Sequence, residues 1–165
     1  MNAKAAPGKQ AVAAEAWRLM AEFAFTKFQG SEHVTMLREL GLTPGHLKAL
    51  SILDPDQPKP MRAMADALAC DASQVTWLVD RMEERGLVER RTSPTDRRVK
   101  TLVLTQLGID TRRRLAEALY APPADLLSLD LASLEALRDE LRKLPVSERG
   151  FWSGSFAPRE RPAAV

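Results

Sequence analysis

The N-terminal part of the chain changes from a polar arm to two helical patterns. Residues 1–9 have no periodic apolar positions, which is typical of a frayed terminal arm. Apolar residues then recur every three or four positions with no Gly or Pro among them, and this spacing predicts a helix over about 10–29. A shorter helical pattern runs through His33–Leu40, and Gly41 predicts its end.

Three further helices and one loop are predicted in the middle of the chain. A helix over about 44–53 begins with a proline, which fits the first turn because its missing N–H has no helical partner there. Residues 54–60 contain three prolines and predict a loop. Apolar stripes then predict two short helices, Met61–Ala69 and Ala72 to about Arg85, which are separated by a tight turn.

The apolar period next changes to that of strands. Leu87–Arg91 and Lys100–Leu104 are short strand-like runs on either side of a polar loop, and they predict a β-hairpin with a long tip. Two more helices are predicted over about 106–120 and about 129–144. Pro122-Pro123 bend or break the first of them, and the second has a leucine stripe. The tail, residues 145–165, is rich in Pro and Gly and is predicted to be irregular.

Length and composition favour one globular domain with a core. The 165 residues are 45% hydrophobic and 28% charged, which excludes wholesale disorder. A single cysteine excludes a disulfide framework, and every apolar run is shorter than the ~18 residues that a membrane span needs. No signal-peptide pattern opens the chain, so we expect a cytoplasmic protein without a membrane partner.

Charge is distributed unevenly along the chain. The whole chain has a formal net charge of +2, whereas the predicted hairpin between Leu87 and Thr105 carries five basic and two acidic residues. The segment Asp125–Leu144 is acidic instead. Arginines crowded in one hairpin repel each other unless an anion lies opposite, and a phosphate backbone is such an anion. A solvated basic turn is the alternative interpretation of the same charges.

Two short helices, a tight turn and a basic hairpin form a winged helix-turn-helix pattern. An α-helix fits the major groove of DNA, where each base pair presents its own pattern of donors and acceptors. The apolar stripe of the second helix leaves its polar side exposed, and the hairpin tip would reach the neighbouring minor groove. The residues expected on that polar side are Ser73, Gln74, Thr76, Trp77 and Arg81.

Four stretches of the chain resemble the MarR family of winged helix-turn-helix transcriptional regulators. They are residues 42–50 (LTPGHLKAL), 73–83 (SQVTWLVDRME), 86–90 (GLVER) and the wing signature Asp96-Arg97-Arg98 followed by Leu104-Thr105. The similarity runs from about Trp17 to Leu144, and it implies a mainly α fold with a small β-hairpin. In this fold residues 10–144 form one winged helix domain, with a DNA-binding lobe over 44–104 and a helical dimerisation region over 10–40 and 105–144.

The same resemblance implies a function. Members of the family are homodimers that bind pseudo-palindromic operators in double-stranded DNA, mostly as repressors, and many release DNA when a small phenolic or anionic ligand binds. We therefore expect a homodimeric repressor relieved by such an effector, without a cofactor or a metal. A ligand-independent or architectural DNA-binding protein and a protein-interaction module are the alternatives. The sequence has no phosphate-binding glycine loop and no nucleophile-elbow motif, so we do not expect an enzyme.

The resemblance also implies roles for single residues. Arg98 is similar to the wing arginine that enters the minor groove, and Asp96 to the aspartate that orients nearby arginines. Trp77 departs from the family pattern, and packing against the wing is the alternative to contact with bases. The full set expected to contact DNA is Ser73, Gln74, Thr76, Trp77, Arg81, Arg90, Asp96, Arg97 and Arg98.

Candidate effector contacts lie on the first and third predicted helices. Trp17, Arg18 and Phe23 would provide an aromatic floor and a cation for an anionic ligand, with packing in a dimer core as the alternative. His46 lies beside the crevice that the resemblance implies, and hydrogen bonding at its own helix end is the alternative. Cys70 is interpreted as a structural cysteine, because the neighbouring Asp71 disfavours a thiolate, and a redox-sensing thiol is the alternative.

Overall fold

The computed structural model describes residues 8–93 and 96–145. The predicted arm over residues 1–7 and the predicted irregular tail beyond Pro145 lie outside the described residues. The helices are α1 (Lys9–Gln29), α2 (Glu32–Glu39), α3 (Pro44–Ser51), α4 (Met61–Leu68), α5 (Ala72–Glu84), α6 (Gln106–Tyr120), α7 (Ala124–Leu127) and α8 (Leu131–Arg142). The strands are β1 (Lys59–Pro60), β2 (Val88–Thr92) and β3 (Lys100–Leu104).

The mainly helical fold is confirmed, and each predicted helix ends within two residues of its predicted limits. Local caps explain this agreement. The carboxylate of Asp71 accepts a hydrogen bond from the main-chain N–H of Gln74 (2.8 Å) at the start of α5. The hydroxyl of Thr105 accepts one from the N–H of Gly108 (3.0 Å) at the start of α6. Both caps satisfy N–H groups that a helix leaves unpaired at its first turn, so nearby sequence was sufficient to locate them.

The sheet differs from the predicted hairpin because it has a third strand. β1 pairs antiparallel with β3, with Lys59 opposite Leu102 and Pro60 opposite Thr101, and the strand order is β1-β3-β2. The prediction of a loop over the whole of residues 54–60 was therefore wrong at its end. A proline-containing strand is tolerated here because β1 is an edge strand, where the missing N–H interrupts no interior ladder.

A second difference lies between the last two predicted helices. The break predicted at Pro122-Pro123 is present, but it is followed by the four-residue helix α7. Pro123 has an extended conformation at the N-cap of α7, and the Ser128 hydroxyl donates to the carbonyl of Asp125 (2.7 Å) at its end. The sequence signals a break in α6 clearly, whereas a single turn of helix is too short to produce an apolar period.

The core lies between α3, α4, α5, α6 and the sheet. The side chains of Leu50, Met64, Val79 and Leu102 have no exposed surface, and each comes from a different element. Burial of such a side chain contributes about 1.5–3 kcal/mol, so this cluster holds the lobe together. Gly108 brings α6 against the start of β2, since an added Cβ would lie 1.9 Å from the carbonyl oxygen of Leu87.

The first and last helices are packed differently from the others. Neither α1 nor α8 buries a single residue. Trp17 on α1 is 69% exposed and Leu131 on α8 is 71% exposed, and other large apolar side chains of both helices are also uncovered. No helix of the described chain is long and apolar enough to cross a membrane. These two helices therefore present wide apolar surfaces that the described residues leave uncovered.

Candidate nucleic-acid interface

A tight turn sets the angle between α4 and α5. Ala69 adopts the left-handed conformation (φ 53°, ψ 43°), and the N–H of Cys70 donates to the carbonyl of Ala65 (3.2 Å). Asp71 then caps α5, as described above. The chain thus reverses within three residues, and the predicted helix-turn-helix is present in the structure.

One side of α5 is buried and the other is exposed, as the apolar stripe predicts. The buried side chains are Val75, Leu78, Val79 and Met82, whereas Ser73, Gln74, Thr76 and Trp77 are exposed. The hydroxyl of Ser73 donates to the Asp71 carboxylate (2.6 Å), and the hydroxyl of Thr76 donates to the carbonyl of Ala72 (2.8 Å). No protein contact in the described part of the chain occupies the carboxamide of Gln74. It is therefore available to an external partner.

Arg81 continues this exposed side at the next turn. Its guanidinium lies 3.0 Å from the Glu84 carboxylate, and both side chains are well exposed. An exposed pair of this kind contributes little to stability, since water screens it. Arg81 can therefore exchange Glu84 for a phosphate or a base edge at small energetic cost.

The β2–β3 hairpin, residues 88–104, is called the wing below, and Arg90 joins it to α5. The Arg90 guanidinium contacts the carboxylates of Asp80 (2.5 Å) and Glu83. Glu83 also accepts a hydrogen bond from the main-chain N–H of Arg90 (3.1 Å). Arg90 is thus engaged by two carboxylates of α5, and it fixes the direction in which the wing leaves the lobe. Its predicted contact with DNA stays a prediction.

The described part of the wing tip is held by backbone hydrogen bonds. The Asp96 carboxylate accepts from the main-chain N–H of Arg98 (2.9 Å), and the N–H of Val99 donates to the carbonyl of Asp96 (3.0 Å). Asp96 therefore orients Arg98 through the backbone, whereas the resemblance implied a bond to an arginine side chain. Arg97 and Arg98 are exposed, and neither guanidinium contacts a carboxylate within residues 8–93 and 96–145. In the part of the chain that the structure describes, these two exposed cations therefore have no carboxylate partner.

A buried histidine lies behind the exposed face of α5. His46 has no exposed surface, and its Nδ1 accepts a hydrogen bond from the main-chain N–H of Thr43 (3.0 Å). The two residues form a capping box at the start of α3, so the helix-end interpretation of His46 is confirmed. The imidazole and the Trp77 ring have centroids 5.3 Å apart and an interplanar angle of 51°. The aromatic neighbour of Trp77 therefore lies on α3, whereas the alternative in the sequence analysis placed Trp77 against the wing.

Burial lowers the pKa of His46 below its ordinary value of 6.5, because the imidazolium form is poorly solvated there. The positive charges of Arg81 and Arg85 lower the pKa further. His46 is consequently a neutral residue near neutral pH. A neutral ring is what the capping box requires, since Nδ1 must accept a hydrogen bond.

An apolar cavity of about 670 Å³ lies in the helical region away from α5. It is lined by the C-terminal part of α1, the start of α2, the end of α6 and α7. An ion pair between Lys27 and Asp125 (2.7 Å) lies at this cavity, and His33 contributes a ring that is 1% exposed. The His33 and Phe28 rings meet edge to face with centroids 4.5 Å apart. The cavity thus combines aromatic surface with the cation Lys27 and the two carboxylates Glu32 and Asp125.

The predicted effector residues are distributed over separate places. Phe23 lines the cavity, whereas Trp17, Arg18 and His46 do not. The Arg18 guanidinium pairs with Glu22 (2.9 Å) on the exposed surface of α1. An effector contact by any of these residues stays a prediction.

The structure also gives the surroundings of Cys70 and of possible metal ligands. The Cys70 thiol is half-buried, and its Sγ donates to the carbonyl of Leu68 (3.4 Å), which is typical of a structural cysteine. Among the described residues, no group of three or more His, Cys, Asp or Glu side chains is arranged to hold a metal ion.

Sequence reasoning missed two arginines that join the lobe to the helices around it. The Arg85 guanidinium donates to the carbonyl of Leu40 at the end of α2. Arg112 on α6 is fully buried, and its Nε donates to the carbonyl of Leu50 (3.1 Å) at the end of α3. Arg112 lies four residues after Gly108, on the buried stripe of α6, and this position was the available signal.

Comparisons with known proteins identify relatives of this arrangement. Residues 42–100, which span α3 to the start of β3, match the family model described as MarR family. The HTH-type transcriptional regulator MhqR of Bacillus subtilis is 33% identical over 69 residues, which are 42% of this chain and 48% of that protein. The chain thus spans about half the length of the curated relatives it matches.

Solved structures extend the similarity to the outer helices. The YusO protein from Bacillus subtilis has a TM-score of 0.67 and 25% identity, with 83% of this chain and 96% of that chain covered. A point mutant of MepR from Staphylococcus aureus, solved bound to an oligodeoxyribonucleotide, has a TM-score of 0.60 and 20% identity. It covers 79% of this chain and 93% of that chain, and at this identity the likeness shows the fold alone.

Proposed function

We propose that this chain is a member of the MarR family of transcriptional regulators, which binds double-stranded DNA as a homodimer and regulates transcription. One observation carries this proposal: the exposed polar face of α5 lies next to a wing whose Arg97 and Arg98 have no carboxylate partner in the described chain. Its relatives MhqR and MdtR of Bacillus subtilis are transcriptional regulators, which supports a regulator and not an enzyme.

The geometry supports different DNA contacts for α5 and for the wing. α5 enters the major groove, where the free carboxamide of Gln74 matches the paired donor and acceptor of adenine. Arg81 exchanges its exposed partner for a phosphate or guanine. Arg98 enters the neighbouring minor groove, and Arg97 binds the phosphate backbone. Arg90 contributes indirectly, because its ion pairs with Asp80 and Glu83 of α5 hold the wing in place.

The uncovered apolar faces of α1 and α8 support a homodimer. In one copy these helices leave large side chains in solvent, among them Trp17, Phe25, Leu131 and Leu141. A contiguous exposed apolar surface is typical of a protein interface, and a two-fold dimer buries the same surface on both copies. Such a dimer would set two α5 helices about one DNA turn apart, which requires a pseudo-palindromic operator.

Relief of repression by a small molecule is the remaining part of the proposal. The cavity between α1, α2, α6 and α7 supports it, because aromatic surface beside Lys27 suits a phenolic or anionic ligand. The predicted contacts Trp17, Arg18 and His46 are a separate candidate set on α1 and α3. A ligand at either place changes DNA affinity only if it binds one arrangement of the dimer better than the other.

Fluorescence anisotropy with labelled DNA tests the core of this proposal. The full chain is titrated into DNA from its own upstream region at several salt concentrations, with unrelated DNA as competitor. We expect tight binding that survives the competitor, together with an affinity that falls steeply with salt. Sedimentation equilibrium of the same sample is expected to give twice the 18.3 kDa mass of one chain.

A different result would contradict each part of the proposal. Binding that the competitor abolishes at every salt concentration contradicts a specific operator and favours an architectural DNA-binding protein. A species of one chain in the sedimentation experiment contradicts the homodimer. Failure of phenolic and anionic compounds to change operator affinity contradicts the effector alone.

A further inference from the structure

We propose that His46 positions the indole of Trp77 on the DNA-facing side of α5 and thereby makes Trp77 a determinant of base preference. This inference rests on the DNA binding proposed above and assigns the buried histidine a role in it. His46 itself has no exposed surface, so it acts on DNA only through the ring that it contacts.

Hydrogen bonding determines which tautomer His46 adopts. The main-chain N–H of Thr43 donates to Nδ1 (3.0 Å), and the Thr43 hydroxyl lies 2.8 Å from the same nitrogen. A nitrogen that accepts an N–H hydrogen bond carries no proton, so the proton of the neutral ring is on Nε2. The only N–H of the imidazole is therefore on the ring nitrogen that Thr43 does not contact.

The Nε2 donor is directed to no conventional acceptor. Nε2 is buried, and it has no hydrogen-bond partner among the described residues. Buried donors are rarely left unpaired, because an unmet hydrogen bond costs about 1–3 kcal/mol. The Trp77 ring lies at 5.3 Å between centroids with a 51° tilt, within the range in which an N–H interacts with an aromatic π face. Among the rings of the described chain, the Trp77 indole is therefore near enough to His46 to serve as a partial partner for this donor.

Trp77 is a large aromatic side chain on the exposed face of α5. It is 54% exposed, and it lies three residues after Gln74 and four before Arg81, so the three side chains share one face. An exposed indole would normally sample several rotamers and lose this freedom on binding DNA. Contact with His46 already restricts the indole in the free protein, so less conformational entropy is lost on binding DNA. The half of the ring that remains exposed can pack on a thymine methyl group.

The charged groups around His46 keep this arrangement stable near neutral pH. Arg81 and Arg85 of α5 act on the ring together with burial, and all three influences disfavour the imidazolium. On the opposite side of the lobe, Arg112 of α6 bonds the other end of α3 at Leu50. A protonated His46 would lose the capping bond from Thr43, so the neutral tautomer is the one that supports Trp77.

The decisive variant is His46→Gln. Glutamine at the third helical position keeps a capping box with threonine, so α3 retains its start while the aromatic contact is lost. His33→Gln is the matched control, since it removes the other buried histidine, which contacts Phe28 and not Trp77. Both are made in a Trp17→Phe, Trp152→Phe background, in which Trp77 is the single tryptophan of the chain. Thermal unfolding is recorded for each variant to verify folding.

The first measurement is the time-resolved fluorescence anisotropy of Trp77 in the free protein. In the parent and in His33→Gln, we expect the indole to rotate with the whole molecule. In His46→Gln we expect a fast local component, because the ring has lost its support. An indole that stays immobile in a folded His46→Gln variant overturns the positioning role.

The second measurement is selection of binding sites from randomised DNA. We expect Trp77→Ala to lose about tenfold of the parental preference at one base position of each half-site, and His46→Gln to weaken preference at that same position. Trp77→Phe keeps a ring beside His46, so it is expected to retain most of the preference. An unchanged selected sequence in both Trp77→Ala and His46→Gln overturns the role in base preference.

If the parent protein enriches no sequence from the randomised DNA, that result contradicts the proposed function and also the role of Trp77 in base preference. The anisotropy decay of the free protein still decides in that case whether His46 positions Trp77. The two failures are therefore distinguishable.

Discussion

The guanidinium of Arg85, at the C-terminal end of α5, donates a hydrogen bond to the main-chain carbonyl oxygen of Leu40, at the end of α2. Gly41 makes room for this contact, because its φ of +62° turns the chain away and its missing Cβ leaves space for the guanidinium. The proposed DNA-reading helix is thus fastened to the helical region by a bond between two helix ends. A shift of α2 would be transmitted to α5 through it.

Gly41→Ala should destabilise the protein and disturb this contact. An added Cβ would lie 2.3 Å from Nη2 of Arg85, and alanine adopts a positive φ at a cost of about 1–2 kcal/mol. We expect the free energy of unfolding in urea to fall by about 2 kcal/mol. Gly30→Ala is the control, since nothing lies within 4 Å of its Cβ position and its φ is negative. Equal effects at both positions would contradict this account.

Arg112→Ala should be among the most destabilising changes at an arginine of this chain. It removes the donor to the Leu50 carbonyl and leaves a void in the core, so we expect a loss of about 3 kcal/mol in the free energy of unfolding. The adjacent Arg113 pairs with Asp110 on the surface (2.7 Å), and Arg113→Ala should change stability by less than about 0.5 kcal/mol. Chemical denaturation of the two variants tests the contrast, which a small effect of Arg112→Ala would refute.

Arg90→Ala should weaken the attachment of the wing. The Arg90 side chain is 25% exposed and its carboxylate partners are more so, and solvent screening limits the expected loss of stability to about 1 kcal/mol. We expect DNA affinity to fall as well, because the wing would no longer be held against α5. Arg91→Ala, which removes a more exposed arginine paired with Glu89, provides the control for charge. Equal affinities of the two variants for DNA would argue against a special role of Arg90.

Arg98→Ala should weaken operator binding by about 1–3 kcal/mol and leave the dimer intact. The reason is that its exposed guanidinium has no carboxylate partner in the described chain and follows the Asp96 turn of the wing. Arg38→Ala removes the same charge from the exposed surface of α2 and serves as the control. Anisotropy titrations at matched salt compare them, and an unchanged affinity would remove Arg98 from the interface.

Stability should decrease as the pH falls through the ordinary histidine range. Burial lowers the pKa of both His33 and His46 below 6.5, so below that pH the unfolded chain binds protons that the folded chain does not. This contribution to stability is complete above the unfolded value and is lost progressively as the pH decreases towards the folded pKa. Urea unfolding at about pH 7.5 and about pH 5.5 measures it, and His46→Gln should reduce the difference. An identical difference in His46→Gln would show that His46 does not contribute.

Local sequence was sufficient for the helices of the lobe. The start of α5 was predictable because Asp71 and Gln74 lie within one turn of each other, and the spacing of Val75, Leu78, Val79 and Met82 identifies its buried side. The polar residues on the opposite side follow from the same period. Much of the candidate interface could therefore be named before any contact was known.

Contacts between distant residues could not be predicted in the same way. Lys59 pairs with Leu102 across the edge of the sheet, and no local pattern around Lys59 indicates a strand. Arg90 was expected to contact DNA, which stays a prediction, and the sequence did not indicate that the chain places it between two carboxylates of α5. Charge indicates what a side chain can bind, whereas the path of the chain decides which partner is within reach.

The sequence by itself determined the longer helices, their buried stripes and the arginine-rich hairpin, because each of these depends on residues that are close together in the chain. Only the tertiary structure decided that His46 lies beneath Trp77, that Arg112 bonds the end of α3 and that Arg85 joins α5 to α2. Each of these contacts joins residues more than thirty positions apart in the chain. Their formation depends on how the helices pack around the core, and this packing is a property of the whole domain.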